Sequence, residues 1–225
     1  EAMAEGGAYQ LKEDVDITGR SIEIPADKTA TLDLNGKTIT AANREVDGIT
    51  VYGNLTLKDS KGNGRIVANK DWANRAYGAG LICIKGENAA MIMQSGTIYA
   101  VRENAGTNGQ YGVGVYEGGD FTITGGKIET GWYAVAGNGD YTTQNSIIKV
   151  EGGELISTAD YAMYLPQSGT TTISGGKVYG AAGGVCINRS TLNVEGTALI
   201  TSKGTGNTGA VSYTHLRAHE TTLHL

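Results

Sequence analysis

Residues Phe121-Thr-Ile-Thr-Gly-Gly-Lys-Ile128 decide the fold, because the same phrase returns along most of the chain. It reappears as Ile148-Lys-Val-Glu-Gly-Gly-Glu-Leu155, Thr171-Thr-Ile-Ser-Gly-Gly-Lys-Val178 and Leu192-Asn-Val-Glu-Gly-Thr-Ala-Leu199. Upstream it reads Met91-Ile-Met-Gln-Ser-Gly-Thr-Ile98 and Leu32-Asp-Leu-Asn-Gly-Lys-Thr-Ile39, with a degenerate copy running from Leu55 to Ile66. The closing apolar residues fall at positions 39, 66, 98, 128, 155, 178 and 199, a period of 21 to 32 residues. One supersecondary unit per copy at that period marks a solenoid.

Inside a copy the apolar residues alternate with polar ones, as in Phe121 and Ile123 against Thr122 and Thr124. Period-two alternation rich in Thr, Val and Ile predicts a half-buried strand. The Gly-Gly bends the chain, since glycine takes positive φ freely. A second short strand resumes at Ile128, Leu155 or Val178. A third follows a variable loop, at Ile49-Thr-Val51, Ile82-Cys-Ile84, Val113-Gly-Val115, Ala134-Val-Ala136, Ala162-Met-Tyr164 and Val185-Cys-Ile187. Three strands per repeat without a helical run predict a right-handed, single-stranded parallel β-helix of six to seven coils over residues 32–210. Coils stack about 4.8 Å apart and share one interior that no single coil could bury. The 35 glycines and 2 prolines fit many bends and intact ladders. A sandwich of antiparallel hairpins would not repeat one phrase in one order. Residues 1–31 break the phrase; Tyr9–Thr18 and Ser21–Pro25 read as short strands that shield the open end.

The tail reads differently. From Val211 the repeat gives way to Ser-Tyr-Thr-His-Leu-Arg-Ala-His-Glu, and all three histidines (His215, His219, His224) lie in the last fifteen residues. Back-translated, this stretch resembles a transposase mosaic-end sequencing adapter, so residues 211–225 are expected to be non-native. The rest of the chain then lacks histidine, the commonest proton shuttle and a leading metal ligand. It opens at Glu1, which is read as an internal fragment of a larger protein with further domains.

The chain carries 18 basic and 23 acidic side chains, a net charge of −5, and no basic stripe of the kind nucleic acid requires. No apolar run reaches membrane-spanning length. Cys83 and Cys186 hold the same place in their coils, four turns apart. That is roughly 19 Å, beyond disulfide reach, so both are expected to be buried or flanking thiols.

The Leu32–Ile39 phrase, joined to the later Ile-x-Gly-Gly-x-Ile coils, resembles the pectate-lyase-like β-helix modules of bacterial surface proteins over residues 9–210. The resemblance implies secretion or cell-wall display and a carbohydrate-related or adhesive role. That superfamily holds polysaccharide lyases, glycoside hydrolases, non-catalytic binding proteins and adhesins. A lyase of this kind implies a calcium cluster of carboxylates and an Arg base on the outward face of one sheet. That face is read here as Asp33 and Asn35, then Thr56, Lys58, Ile92, Gln94, Thr122 and Thr124, then Lys149 to Glu195. It offers no carboxylate pair on adjacent coils and no Arg, whereas glycoside hydrolysis needs two carboxylates in defined opposition. On the second strand, Lys127, Glu154 and Lys177 match on consecutive coils and support register. Tyr111, Tyr133 and Tyr161 also match; by parity with Val113, Val135 and Met163 they are expected to point inward or into the bend.

Recognition in a solenoid is usually carried by insertions along one side. The two longest coils carry adjacent ones, at 68–77 and 101–110. These offer Trp72 for stacking on a sugar ring, with Asp71, Arg75, Arg102 and Glu103 for hydroxyls, carboxylates or a calcium ion; Trp132 follows at the same corner of the next coil. A Trp that folds down as a lid, among solvated charges, accounts for the same residues. The reading that results is an extracellular, non-catalytic β-helix module for carbohydrate binding or adhesion, with a polysaccharide or host glycan as partner. No cofactor is required beyond an optional calcium. A polysaccharide lyase or hydrolase with its catalytic coils elsewhere, and a structural spacer, are the alternatives.

Overall fold

The alternating segments pair with their counterparts in neighbouring repeats, and every pairing is parallel. The computed structural model describes residues 2–41, 47–69, 80–101, 111–137, 145–203 and 211–213. The second strands of the repeats form an eight-stranded sheet, from Val15–Asp16 at one end to Leu199–Ser202 at the other. The first and third strands belong to a fourteen-stranded sheet, because two long strands, Tyr161–Ile173 and Gly183–Val194, run through the corner between them. This is a parallel β-helix.

Among the described residues the second strands mark seven coils over residues 32–210, as expected, and one more ahead of them. The additional one is the segment expected to shield the end. Gly7–Gln10, Val15–Asp16 and Ile22–Ile24 pair in parallel with the three strands of the next coil, in the same scheme as all later coils. The shielding is done instead by a single 3-10 turn, Ala2–Glu5, whose Met3 joins the core at 7% exposure. At the other end, Val211–Tyr213 takes the third-strand place of the eighth coil, beside 185–187. The remainder of the expected non-native tail lies outside the described residues.

One interior runs through the stack. Its second-strand column is Ile39, Ile66, Ile98, Ile128, Leu155 and Val178, each 0–1% exposed and each opposite the next. The column continues to Ile200, while Leu199, expected to close the last repeat, is 52% exposed and lies opposite Lys177. The first-strand register also differs at one end: Leu32 stands opposite Leu57, not Leu55, and Leu34 fills the corner beyond it.

The two glycines of the repeated phrase meet different demands. A Cβ on Gly152 would lie 2.3 Å from the Thr124 carbonyl oxygen of the coil below, so the first glycine is fixed by close approach. Gly153 has φ +75°, so the second is fixed by backbone conformation as well. In the early coils, carboxylates brace the corner. Asp33 accepts hydrogen bonds from the backbone N–H groups of Asn35 (2.9 Å) and Ser60 (2.9 Å) and from Gln10 Nε2 (3.0 Å). Asp59 accepts from Gly36 (2.7 Å) and Gly64 (2.6 Å). Each carboxylate thus ties its own corner to a neighbouring segment of chain.

Candidate functional site: an aromatic cluster outside the core

Between the second and third strands the chain must turn a corner, and it does so with two consecutive residues facing inward. Leu81 with Ile82, Ala134 with Val135, and Ala162 with Met163 all belong to the main core. The alternation therefore inverts across the corner. Tyr111, Tyr133 and Tyr161, expected to point inward or into the bend, do not enter the interior; they belong to a second cluster at the corner that shares no buried residue with it.

This cluster gathers Tyr111, Trp132, Tyr133 and Ala136, with Tyr161 and Tyr164 half-buried at its edge. Trp132 stacks on Tyr133 with ring centroids 4.6 Å apart, and Tyr133 stacks on Tyr164 at 4.9 Å with planes only 13° apart. Tyr111 tilts against both, at 5.2 and 5.3 Å. Such offset and tilted pairs stabilise beyond the area they bury. Room for them comes from the outward row of the third strands, where Cys83, Gly114, Ala136, Tyr164 and Cys186 lie in register. The small residues of that row let rings lie flat on the sheet. In that row a Cβ on Gly114 would sit 2.5 Å from the ring of Tyr116, a neighbour outside the cluster, and opposite Tyr161 one on Gly183 would sit 2.3 Å from the Tyr161 ring.

Polar groups lock the cluster in place. Trp132 Nε1 donates to Asp160 Oδ2 at 2.8 Å, and Asp160 Oδ1 accepts from the Tyr161 N–H at 2.8 Å. The Ser157 hydroxyl donates to the Trp132 carbonyl and accepts from the Asp160 N–H at 3.0 Å. Burial pushes the Tyr133 hydroxyl above the usual tyrosine range, and the Asp160 charge adds to that. Further toward the N-terminal end, the buried Asp47 carboxylate pairs with Lys85 at 2.8 Å. Burial raises the thiol of the adjacent Cys83, with the Asp47 charge contributing.

Trp132 therefore does not stand open as a stacking residue. It is 7% exposed, and its indole N–H is already engaged. Asp71, Trp72, Arg75, Arg102 and Glu103 lie outside the described residues. The strands that flank their segments are described, however. Arg65–Ala68 and Thr97–Ala100 precede the two insertions in adjacent coils, and Tyr111 opens the strand that follows the second. Both insertions are thus rooted at the corner that carries the aromatic cluster. Tyr164 and Asp160 were missed from the sequence. The signal for Tyr164 was a bulky ring in a row that between Cys83 and Cys186 otherwise holds only Gly and Ala. Among the described residues, no group of three or more His, Cys, Asp or Glu side chains is placed to hold a metal ion, and no helix is long and apolar enough to cross a membrane.

The charged row on the second sheet is in register as expected, with Lys127 opposite Glu154 and Glu154 opposite Lys177. Lys127 makes its close ion pair within its own strand, to Glu129 at 2.7 Å. Cys83 and Cys186 are free and buried, four coil steps apart in one row.

In comparisons with known proteins, the chain matches no family model, no curated protein and no solved structure.

Proposed function

We propose that this chain is a non-catalytic, extracellular β-helix module that binds carbohydrate, with the second-to-third-strand corner of its middle coils as the recognition surface. The observation that carries this reading is the Tyr133–Tyr164 stack, ring centroids 4.9 Å apart, which lies outside the interior. Its half-buried edge, Tyr161 and Tyr164, lies on the same second-to-third-strand side of the solenoid, two coils beyond the strand that follows the insertion at 101–110. Buried Trp132 and Tyr133 form a rigid floor, and the half-exposed rings supply apolar faces with polar hydroxyls at their tips. A sugar ring, with C–H groups on its faces and hydroxyls on its rim, is the ligand that such a surface complements.

The non-catalytic part of the reading is supported by the outer face of the first sheet. Its central row is Thr31, Thr56, Ile92, Thr122, Lys149, Thr172 and Asn193, without a carboxylate. Glycan-array binding by the whole chain tests the proposal. Binding that is lost in Tyr164→Ala, with the fold retained by circular dichroism, is the expected result. Silence across the array, or binding indifferent to Tyr164→Ala, would overturn it.

A further inference from the structure

Four steps of the chain read Asn-Gly, at 35–36, 63–64, 108–109 and 138–139. The last two lie outside the described residues, and the first two form the first-to-second-strand corners of adjacent coils. Asn-Gly is the step at which a peptide most readily attacks itself, because glycine carries no side chain to hinder its own nitrogen. That nitrogen loses its proton and bonds to the Asn Cγ; the Cγ–Nδ2 bond breaks, and the proton leaves with ammonia. Water then opens the ring to aspartate or, with one more carbon in the main chain, to isoaspartate.

Neither corner has room for an added atom. A Cβ on Gly64 would lie 2.4 Å from Leu34 Cβ, and one on Gly36 would lie 3.0 Å from Lys61 Cβ. The second strands that leave these corners are paired from Thr38 and Arg65 onward, so a lengthened main chain would disturb their register.

One carboxylate holds both attacking nitrogens. The Gly36 N–H donates to Asp59 Oδ1 at 2.7 Å, and the Gly64 N–H donates to Asp59 Oδ2 at 2.6 Å. Asp59 is buried, and its own N–H donates to the Ser95 hydroxyl at 2.7 Å, which fixes its main chain. Attack demands that the glycine nitrogen become an anion, and a carboxylate lying against that N–H opposes a second negative charge. Turning the nitrogen toward the Asn side chain would also break a charge-assisted bond and deprive a buried carboxylate of a donor. At Asn35 the leaving group is held as well, since its Nδ2 donates to the Leu11 carbonyl at 2.9 Å. Asn63 is exposed, so the bond to Asp59 is the restraint that matters there.

From this geometry we infer that Asn35 and Asn63 are self-modification sites of the chain, and that Asp59 suppresses deamidation at both by holding the Gly36 and Gly64 N–H groups on its two oxygens.

Peptide mass spectrometry of the whole chain, aged at mildly alkaline pH, tests the inference through the gain in mass from amide to acid. In denaturant all four Asn-Gly steps should convert, whereas in the folded chain Asn35 and Asn63 should convert about tenfold more slowly or less. Asp59→Ala, with its fold retained by circular dichroism, should speed conversion at Asn63 by about tenfold or more, because the restraint removed is a hydrogen bond to a charge. Asp33→Ala takes a carboxylate from the same pair of corners without touching either glycine N–H, and should leave Asn63 slow. Amide hydrogen exchange on the unaltered chain gives a second reading that needs no variant: the Gly36 and Gly64 N–H groups should exchange far more slowly than in the unfolded chain. Conversion of Asn63 in the folded chain at the denatured rate would overturn the inference. So would an Asp59→Ala chain as slow as the unaltered one, equal acceleration by Asp33→Ala, or unprotected exchange at Gly64.

Discussion

Trp132 and Asp160 lie one coil apart and are joined by an Nε1–H to carboxylate hydrogen bond of 2.8 Å. The indole is 7% exposed, so this ring on the outside of the β-helix is buried as deeply as Met3 and Leu192 of the core. Removing the carboxylate takes away the acceptor of a buried indole N–H. Asp160→Ala is therefore expected to cost about 1–3 kcal/mol, read as a lower urea midpoint at unchanged m-value. Asp160→Asn, which keeps an acceptor, should cost less. Equal losses in the two variants would show that the bond is not what holds Trp132.

The repeated glycine pair makes a sharper test of corner geometry. Gly153 combines φ +75° with carbonyl oxygen of Gly126 2.7 Å from where a Cβ would lie. Gly62 has a similar φ, +88°, with nothing within 4 Å of that point. Gly62→Ala should therefore show backbone strain alone, about 1–2 kcal/mol. Gly153→Ala should cost clearly more, because a neighbouring coil must also move. Thermal denaturation of the two variants side by side checks this, and similar losses would place the whole penalty in φ.

The alternation inside strands could be read from the sequence, and the corners could not. Period-two patterning located the buried column from Ile39 to Val178, since burial on one face of a strand repeats every second residue. Where the chain turns with two inward residues in succession, that rule shifts by one, and the shift kept Tyr111, Tyr133 and Tyr161 out of the interior. The same kind of slip put Leu199 in the column that Ile200 occupies. Trp132 was recognised as a corner residue, but its burial depends on Asp160, a coil away, whose approach no local pattern records. The N-terminal coil went unread because its strands carry the register without carrying the phrase.

Acid should weaken the first corner in a definable window. Burial alone would raise the Asp33 carboxyl, but the hydrogen bonds from Ser60, Gln10 and Asn35 outweigh it and bring it down to about 2, from an ordinary 3.8. A carboxylate with a depressed folded-state value stabilises the fold fully above its unfolded value and loses that contribution as pH falls through the folded one. Wild type should therefore exceed Asp33→Asn in melting temperature at pH 5, and the gap should close between about pH 4 and pH 2. A gap that persists unchanged to pH 2 would mean that Asp33 acts through shape and not through charge.

Both thiols should report the integrity of the outer layer. Cys83 is fully buried on the outward row, and its Sγ accepts from the Gly80 N–H at 3.2 Å. Cys186, in the same row, is 7% exposed, and burial and the Asp160 charge raise its thiol too. The thiolate is the reactive form, so both residues should resist alkylation at neutral pH in the folded chain and react fully in denaturant. Because Tyr164 stands beside Cys186 in register, Tyr164→Ala should open Cys186 to iodoacetamide while leaving Cys83, three coil steps from Tyr164 on its other side, protected. Mass spectrometry of the labelled peptides would read the two sites separately. Labelling of Cys83 at the same rate as Cys186 would mean that the layer opens as one unit, and that the ring of Tyr164 does not shield its neighbour locally.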